Sequence, residues 1–287
     1  MVFGTFDYFI VRLADNMISL AEAPQPIVFD RKFGPYGEGK TDDKPSLHKF
    51  NGMYYLSWSS FYAMSLNPYG PYKFKGTVID AKYIDKNFQV DTTKTKMQWH
   101  DRHGNFFTWH NQWFYTYNDK SHPWSNNRFR DANISYVHYR DNGEMAPIHI
   151  DRIGVGQYYV NKNPIEAENY FAAEGVKIKE SPSNGFEVRC KNGSLINYPN
   201  VMNLPKNATV SFLVSLANSK GATIEIYEDN LKGKLLGKCK IPNTKAWNKY
   251  QTISCKIKND AGKMNLLLLV KGNNEELIRI DNFKINN

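Results

Sequence analysis

Short segments of alternating apolar and polar residues follow one another along almost the whole chain. They are rich in β-branched and aromatic residues and are bounded by Gly, Pro, Asn and Asp, which predicts short β-strands. The clearest segments are residues 54–58, 72–75, 113–117, 134–139, 209–214, 223–227 and 278–280. The most apolar stretch, Leu266–Val270, is far too short to cross a bilayer and predicts a buried strand. The pattern therefore predicts a protein that is nearly all β.

An internal repeat indicates how these strands are organised. Residues 49–58 (KFNGMYYLSW) are similar to residues 109–117 (WHNQWFYTY), 60 positions later, and residues 2–6 form a weaker third copy. Each full copy has a predicted tight turn, Asn51-Gly52 or Asn111-Gln112, directly before an aromatic strand, as in a hairpin. Repeats of this length in an all-β chain indicate propeller blades, which bury their faces against neighbouring blades. Two or three blades cannot close a ring, so we expect a propeller that lacks its beginning.

The composition changes near residue 160. All seven histidines and five of the six tryptophans precede this point, whereas afterwards only Trp247 remains and the sequence becomes lysine-rich alternating strands. Residues 154–164 (GVGQYYVNKNP) have the Gly, Asn and Pro content of a connecting segment. We therefore expect two domains, residues 1–160 and residues 164–287, with the chemistry in the first.

The formal net charge of +9 makes nucleic acid a candidate partner. The basic residues are scattered, however: residues 1–163 hold 19 Lys and Arg against 16 acids, and residues 164–287 hold 18 against 12. Neither part has a dense basic run or a nucleic-acid motif, so solvated lysines on strand faces explain most of the excess. We expect neither a nucleic-acid nor a membrane partner, while acidic polysaccharide remains open.

The three cysteines, Cys190, Cys239 and Cys255, have no metal-ligand spacing, and their odd number argues against a full disulfide framework. Two alternatives remain, a single Cys239–Cys255 bridge or buried thiols.

Two adjacent acids, Asp42 and Asp43, stand just before the first aromatic repeat. Carboxylates are costly to bury and common on surfaces, so one interpretation is a solvated turn ahead of a strand. The other is an acid that points into a cleft. The residues alone leave both open.

The order of several motifs in the first domain resembles the later blades of glycoside hydrolase family 43. The motifs are residues 1–6, 15–20, 43–45 (DKP), 47–56, 70–76 (GPYKFKG), 102–104 (RHG), 129–131 (FRD) and 139–143 (YRDNG). The resemblance covers residues 1–160 and implies a five-bladed propeller that hydrolyses arabinosides, xylosides or galactosides with inversion. Inversion requires two carboxyl groups about 6.5–9.5 Å apart, with space for a water between one of them and the sugar.

The same resemblance implies roles for individual residues. Asp43 stands where the family has its proton-donating Glu, although Asp is one methylene shorter, and Asp42 is then a solvated neighbour or a cap. Arg130 matches an arginine at the floor of the active site, the alternative being an exposed strand residue. His103 matches a histidine on the propeller axis that holds a water or metal, and it is a candidate for contact with substrate; the alternative is a hydrogen-bonded core histidine.

Two further expectations concern activity and stacking. The family's general base comes from its first two blades, which this chain does not contain, so we expect little or no glycosidase activity from the chain alone. Tryptophan side chains suit stacking on sugar rings, but most of those in the first domain are expected in blade cores, namely Trp58, Trp99, Trp109, Trp113 and Trp124.

The second domain resembles carbohydrate-binding module family 6, a β-sandwich of the jelly-roll type. The motifs are residues 165–170 (IEAENY), 233–238 (GKLLGK), 242–250 (PNTKAWNKY) and 278–283 (IRIDNF). In a strand Glu166 and Glu168 would project to one face, and a neighbouring terminal strand would bring Asp281 to them. Three hard oxygen ligands suit Ca²⁺, and the family has a structural calcium at this place. The alternative is an acidic surface cluster; no organic cofactor is expected.

Family members stack a sugar between two aromatic residues. Trp247 matches one of them, and Tyr250 lies in the same motif as a further candidate for sugar contact. Arg189 stands at the position of the second aromatic residue, and Arg279 replaces an asparagine that hydrogen-bonds the sugar. Two arginines at these places would alter or abolish the usual cleft, or would favour an acidic glycan.

The sequence thus predicts an all-β protein, a partial five-bladed β-propeller followed by a β-sandwich, that degrades or binds plant-type polysaccharide. The rival hypothesis is a carbohydrate-binding protein without catalysis. Residues 1–6 have none of the features of a secretory signal, so no signal peptide is predicted in this chain. The family resemblance nevertheless implies an extracellular or periplasmic location.

Overall fold

The computed structural model describes residues 1–79, 103–119, 131–151, 153–182, 185–217, 220–273 and 276–287. Almost all regular structure in these residues is β, which confirms the predicted fold class. The chain divides into two compact units. Unit 1 comprises residues 1–107 and 113–154, and unit 2 comprises residues 108–112 and 155–287. The sequence predicts the connecting segment at residues 154–164.

Four small antiparallel sheets form among the described residues between 1 and 137. The first contains β1 (Val2–Thr5), β2 (Asp7–Ile10) and β3 (Gln25–Pro26), and the second contains β4 (Phe33–Gly34) and β5 (Gly37–Glu38). The third contains β6 (Ser46–Phe50), β7 (Met53–Trp58), β8 (Phe61–Ser65) and β9 (Lys73–Thr77), paired in chain order. The fourth contains β10 (Gly104–Trp109), β11 (Gln112–Asp119) and β12 (Asp131–Val137).

The β6–β9 sheet has the organisation expected of a propeller blade. Successive side chains of β7 enter two different hydrophobic clusters, so that Tyr55 belongs to one, whereas Leu56 and Trp58 belong to the other. Both faces of this sheet are therefore buried, since a strand alternates its side chains with a period of two. The sheet depends on neighbours on each side for its stability.

The two repeat copies form two-residue hairpins, with one shift from prediction. In the first, Asn51 and Gly52 have φ of 45° and 82°. In the second, the turn residues are His110 and Asn111, with φ of 43° and 66°, one position earlier than expected. Positive φ at both central residues matches the twist of paired strands, and it is the conformation that Asn and Gly adopt most readily. Gln112 is instead the first residue of β11 and is buried.

Unit 2 contains one continuous sheet that folds back on itself. Its elements are β13 (Tyr158–Tyr159), β14 (Ile165–Glu166), a 3-10 helix (Ala167–Asn169), β15 (Ala172–Glu180), β16 (Phe186–Leu204), β17 (Thr209–Ser215), β18 (Ala222–Glu228), β19 (Leu235–Ile241), β20 (Gln251–Lys256), β21 (Gly262–Lys271) and β22 (Ile278–Asn286). The main strand order is β19-β18-β21-β16-β22-β17-β20. β13 lies in the segment expected to be a connector, and it pairs in parallel with β16.

The long strand β16 passes from one layer of the sandwich to the other. Its first part pairs with β22, as in Val188↔Ile280, and its second part pairs with β21, as in Tyr198↔Leu266. Strands that change layer in this way form the corners of a sandwich. β19 and β20, the two ends of the sheet, approach each other. The backbone N–H of Lys258, just after β20, donates to the carbonyl of Leu236 on β19 at 2.8 Å. The enclosed core is aliphatic and aromatic, with Phe212 and Phe283 fully buried.

Two further findings concern the remaining sequence predictions. Cys190, Cys239 and Cys255 are free thiols, so the Cys239–Cys255 bridge is absent; Cys190 and Cys239 are buried, as the alternative expected, and Cys255 is half-buried. Within the described ranges, no helix is long and apolar enough to span a membrane.

A buried histidine lies in the aromatic core of unit 1. The ring of His48 stacks on Tyr55 with centroids 4.8 Å apart and an interplanar angle of 6°, and its Nε2 lies 2.7 Å from the Tyr139 hydroxyl. Its Nδ1 has no hydrogen-bond partner among the described residues. Burial lowers the pKa of His48 from 6.5 to about 3, because the cationic ring would lose its hydration.

This histidine makes the stability of unit 1 dependent on pH. Folded His48 stays neutral while the unfolded residue takes up a proton below pH 6.5, so stability falls as the pH drops towards 3. Between pH 7 and pH 4.5 we expect His48 to account for a loss of about 3 kcal/mol. Urea unfolding of the chain and of His48→Phe, which removes the titrating group but keeps a ring, measures the difference. His110→Asn removes an exposed histidine and is the control; equal acid sensitivity in all three proteins would contradict the assignment.

Candidate functional site

In unit 1, the exposures of Asp42 and Asp43 are the reverse of those predicted. Asp42, predicted to be a solvated neighbour, is 1% exposed, so that prediction is wrong. Its Oδ2 accepts from the Lys44 ammonium at 3.0 Å and from the Ser59 hydroxyl, and its Oδ1 accepts from the backbone N–H of Asp43 at 2.8 Å. The Tyr8 hydroxyl donates to the Asp42 carbonyl at 2.8 Å. Asp42 can be buried because these partners replace water around its charge.

Asp43 is exposed, and its Oδ1 lies 3.0 Å from the Lys44 ammonium, which thus contacts both carboxylates. Partial burial raises the pKa of Asp43, but Lys44, a hydrogen bond involving Asp42 and the charge of His103 together bring it below its ordinary value. A general acid must hold a proton near the working pH. In this arrangement Asp43 is an ionised carboxylate.

His103 is exposed, so the alternative of a core histidine is wrong. Its backbone N–H donates to the Asn118 side chain. The charge of His103 makes the smallest of the contributions that lower the pKa of Asp43. Arg130, the third predicted site residue of unit 1, lies outside the described residues.

The tryptophans of the first repeat region differ in exposure. Trp58 is fully buried, with its Nε1 donating to the Phe33 carbonyl at 2.8 Å, and Trp113 packs at the edge of a core cluster. Trp109 is 51% exposed. Trp99 and Trp124 lie outside the described residues. The expected core role thus fits Trp58 best.

In unit 2, the loop between β19 and β20 carries Trp247. Thr244, which is 1% exposed, fixes this loop to the end of β17. Its backbone N–H donates to the Leu216 carbonyl at 2.7 Å, and its Oγ1 accepts from the Leu216 N–H at 2.9 Å. A third bond, from Lys249 N–H to the Ala246 carbonyl at 3.1 Å, closes the turn around Trp247. These bonds therefore fix the loop backbone that carries Trp247.

The two arginines predicted at the sugar site face each other across neighbouring strands. Arg189 on β16 is in register with Arg279 on β22. Between them lies Glu187, whose side chain is fully buried: Arg189 Nε donates to its Oε1 at 2.7 Å, and Arg279 Nη1 lies 3.7 Å from the same atom. Arg279 also binds Glu276, with Nη2 and Oε1 2.7 Å apart. Both guanidinium charges are thus balanced by carboxylates of unit 2.

Aromatic residues complete this cluster. The Arg279 guanidinium lies over the Trp247 ring, 4.6 Å from its centroid, in a cation–π contact. The Tyr250 hydroxyl donates to Glu187 Oε2. Burial and this bond to a carboxylate raise the pKa of Tyr250 to about 12. Arg189, Arg279 and Tyr250 therefore meet at Glu187, and Trp247 joins them through Arg279. A sugar that stacks on Trp247 must use the other face of the indole or displace Arg279.

Glu187 was not identified from the sequence, although a signal for it exists. In residues 186–190 (FEVRC), Val188 and Cys190 belong to the core, so Glu187 and Arg189 share the opposite face. Two arginines in register repel each other unless an anion lies nearby. The register of β16 and β22, which the sequence does not specify, reveals that requirement.

The predicted calcium ligands Glu166, Glu168 and Asp281 do not lie on the elements that the sequence predicted for them. β14 ends at Glu166, and Glu168 lies in the 3-10 helix, so the prediction that both project from one strand is wrong. Glu168 is 6% exposed and its Oε2 has no partner among the described residues. Asp281 on β22 is buried and accepts from the Ser181 hydroxyl at 2.9 Å. In the parts of the chain that are described, no group of three or more His, Cys, Asp or Glu side chains is preassembled for a metal.

Electrostatics nevertheless connects the three acids. Displacement of water around the carboxyl of Glu166, and then the charge of Asp281, raise the pKa of Glu166 to about 7. Burial raises the pKa of Glu168 well above its ordinary value, and the charges of Glu166 and Asp281 add to this. The charges of these acids thus add to the raised pKa values of Glu166 and Glu168, an effect that a divalent cation nearby would offset.

Comparisons with known proteins found a family model, curated relatives and solved structures that are similar to this chain. Residues 166–287 match the family model of carbohydrate binding module (family 6). An arabinoxylan arabinofuranohydrolase of Paenibacillus polymyxa is 24% identical over 284 residues, which are 85% of this chain and 42% of that protein. The chain spans less than half the length of the curated relatives it matches, at 18–49% of each.

Two solved structures are also similar. One is a glycoside hydrolase family 43 arabinoxylan arabinofuranohydrolase from Bacillus subtilis in complex with cellotetraose, with 19% identity, coverage of 97% of this chain and 59% of that one, and a TM-score of 0.45. The other is a family 6 carbohydrate-binding module from Clostridium cellulolyticum in complex with xylose. It is 28% identical and covers 44% of this chain and 97% of that one, with a TM-score of 0.41.

The Glu187 cluster gives a prediction for stability. Glu187→Gln removes the carboxylate and leaves Arg189 and Arg279 without its charge, so we expect the free energy of unfolding of unit 2 to fall by roughly 3 kcal/mol. Urea unfolding followed by circular dichroism measures the change. Glu174→Gln, at an exposed position on β15, is the control and should change stability by less than about 0.5 kcal/mol. Equal effects of the two substitutions would contradict the role of Glu187.

Proposed function

We propose that this chain acts on arabinoxylan-type plant polysaccharide as part of a glycoside hydrolase of the arabinofuranosidase, xylosidase or galactosidase type. One observation carries the proposal: the similarity to two curated arabinoxylan arabinofuranohydrolases extends over 85% and 77% of this chain, far beyond the part that matches the binding-module family. Residues of unit 1 therefore contribute to this similarity. The substrate would be an oligosaccharide or polysaccharide at an extracellular or periplasmic location.

In this proposal Asp43 occupies the proton-donor position, with Arg130 and His103 as further residues of the active site. The contact with Lys44 makes Asp43 a poor proton donor at the working pH, because a carboxylate held in its ionised form has no proton to give to the leaving group. Inverting hydrolysis also needs a second carboxylate that activates water. We therefore expect slow turnover at best from the 287-residue chain.

The second candidate function is carbohydrate binding without hydrolysis. It is favoured by the family match of residues 166–287 and by the indole of Trp247, whose loop is fixed by Thr244. An aromatic face beside hydrogen-bonding side chains suits sugar rings. The neutralised arginines Arg189 and Arg279 favour a neutral sugar at this place over an acidic one.

We also propose a structural Ca²⁺ held by Glu166, Glu168 and Asp281. The donor set fits, since all three are hard carboxylate oxygens, and the buried Glu168 Oε2 that lacks a partner among the described residues fits a missing ligand contact. The cation would offset the mutual repulsion of these acids and tie the start of the sandwich to β22.

The activity prediction compares hydrolysis with binding. Hydrolysis by the purified 287-residue chain is measured as release of arabinose from arabinoxylan and arabinan, of xylose from xylan and of galactose from galactan. Binding is measured as retention of the chain in affinity gels that contain arabinoxylan. We expect retention with little or no sugar release. Asp43→Asn should abolish any residual release but leave retention unchanged, and Trp247→Ala should reduce retention.

Asp15→Asn, at an exposed site in unit 1, is the matched control and should behave like the unchanged chain. Rapid sugar release that depends on Asp43 would contradict the expected impairment. Absence of both release and retention on every polysaccharide would contradict both candidate functions.

The calcium prediction is tested by thermal unfolding. We expect millimolar Ca²⁺ to raise the melting temperature of the EDTA-treated chain, since a ligand at about 100 times its Kd stabilises the folded state by about 2.7 kcal/mol. Glu168→Gln should remove this shift and Glu174→Gln should retain it. An unchanged melting temperature of the parent chain would contradict the calcium site.

A further inference from the structure

Unit 2 contains a cavity of about 390 Å³ that has no part in the arrangement described above. It lies where the connection from β16 to β17, the segment before β19 and the end of β20 meet. We call it the lysine cavity, and its lining residues are Lys206, Asn207, Lys234, Lys256, Ile257, Lys258, Asn259 and Asp260. Trp247 lies in the loop that joins the opposite ends of β19 and β20, so the lysine cavity and the Trp247 cluster occupy different ends of this strand pair.

The wall of the lysine cavity is fixed by a buried amide. Asn259 is 3% exposed; its Oδ1 accepts from the Ala208 N–H at 2.9 Å, and its Nδ2 donates to the Pro205 carbonyl at 2.7 Å. The N–H of Asn207 donates to the Asn259 carbonyl at 3.0 Å, and the N–H of Ile257 donates to the Ala208 carbonyl at 2.8 Å. The backbone that carries the lining side chains is therefore held before any ligand arrives, which lowers the entropic cost of binding.

The charge of the lysine cavity is not balanced. Four lysines stand against Asp260, a formal excess of three positive charges (4 − 1). None of the four ammonium groups forms an ion pair within the described ranges. Lys238 and Lys271, in contrast, bind the buried Glu225 at 2.6 and 2.8 Å. Like charges gathered at one concave place raise the local potential and favour an anion.

The other lining groups restrict the kind of anion. Asn207 and Asp260 supply an amide and a carboxylate, which suit sugar hydroxyls, and the volume is within the range of small-ligand sites. Lysine ammonium groups act as hydrated point charges that suit the oxygens of a carboxylate. We propose that the lysine cavity binds a uronic acid residue of an acidic glycan. This deepens the proposed function, on which it rests, by adding a charged sugar to the polysaccharides that the chain recognises.

The test measures binding of trigalacturonic acid to the 287-residue chain by isothermal titration calorimetry. We expect the variant Lys234→Gln/Lys258→Gln to weaken the affinity about tenfold or more, because two of four facing charges are lost. Lys191→Gln/Lys284→Gln removes the same net charge from exposed positions outside the cavity and should leave the affinity nearly unchanged. The methyl ester of the same trisaccharide should not bind, and binding should weaken between about 0.02 and 0.15 M salt.

Several outcomes would overturn the proposal. These are equal affinities of the two double variants, loss of binding in Arg279→Gln instead, equal binding of the methyl ester, and binding of inorganic phosphate or single-stranded DNA at least as tight as that of the trisaccharide. Retention on neutral arabinoxylan is measured in parallel with the same variants. If neutral retention persists while trigalacturonate fails to bind, only this inference is wrong; if neutral retention and sugar release are both absent, the proposed function itself is wrong.

Discussion

The cost of burying a carboxylate organises this protein at each place where chemistry is expected. An ionised acid that loses its water must gain ion pairs or hydrogen bonds, or else take up a proton. Asp42 is held by Lys44 and Ser59, and Glu187 is held by two arginines and a tyrosine. Glu168 is the exception among these, because one of its oxygens lacks a partner in the described part of the chain and its pKa rises accordingly. The need to compensate a buried carboxylate thus explains the hydrogen-bonded clusters at Asp42 and Glu187 and the raised pKa of Glu168.

Much of the fold follows from local patterns. Short runs of β-branched and aromatic residues bounded by turn residues predicted β7, β11, β17 and β18 almost to their ends, because such side chains suit a pleated, packed surface. The repeat located two hairpins, and the positive φ of Asn51 and Gly52 is what their residue types favour. The turn at His110 was misplaced by one residue, since histidine is a less frequent residue at positive φ than the asparagine that follows it.

The candidate sites were less predictable, and the reason is that they depend on pairing between distant strands. The family resemblance pointed to Arg189 and Arg279, but their common neighbour Glu187 becomes apparent only from the register of β16 with β22. The exposures of Asp42 and Asp43 could not be derived from adjacent positions either, because Tyr8 and Ser59, which bury Asp42, come from other strands and turns. Glu168 was assigned to a strand because its sequence alternates, whereas the structure places a 3-10 turn there.

The passage of β16 through both layers also has a consequence for how unit 2 folds. Val188 and Ile280, which pair across β16 and β22, are 92 residues apart in the chain (280 − 188). Closing so long a loop costs entropy before the pairing returns any stabilisation. Neither layer can be completed without β16, so formation of the sandwich should be slow and highly cooperative, on the order of milliseconds to seconds as for other folds of high contact order. A nascent chain would remain aggregation-prone until its last strand had emerged.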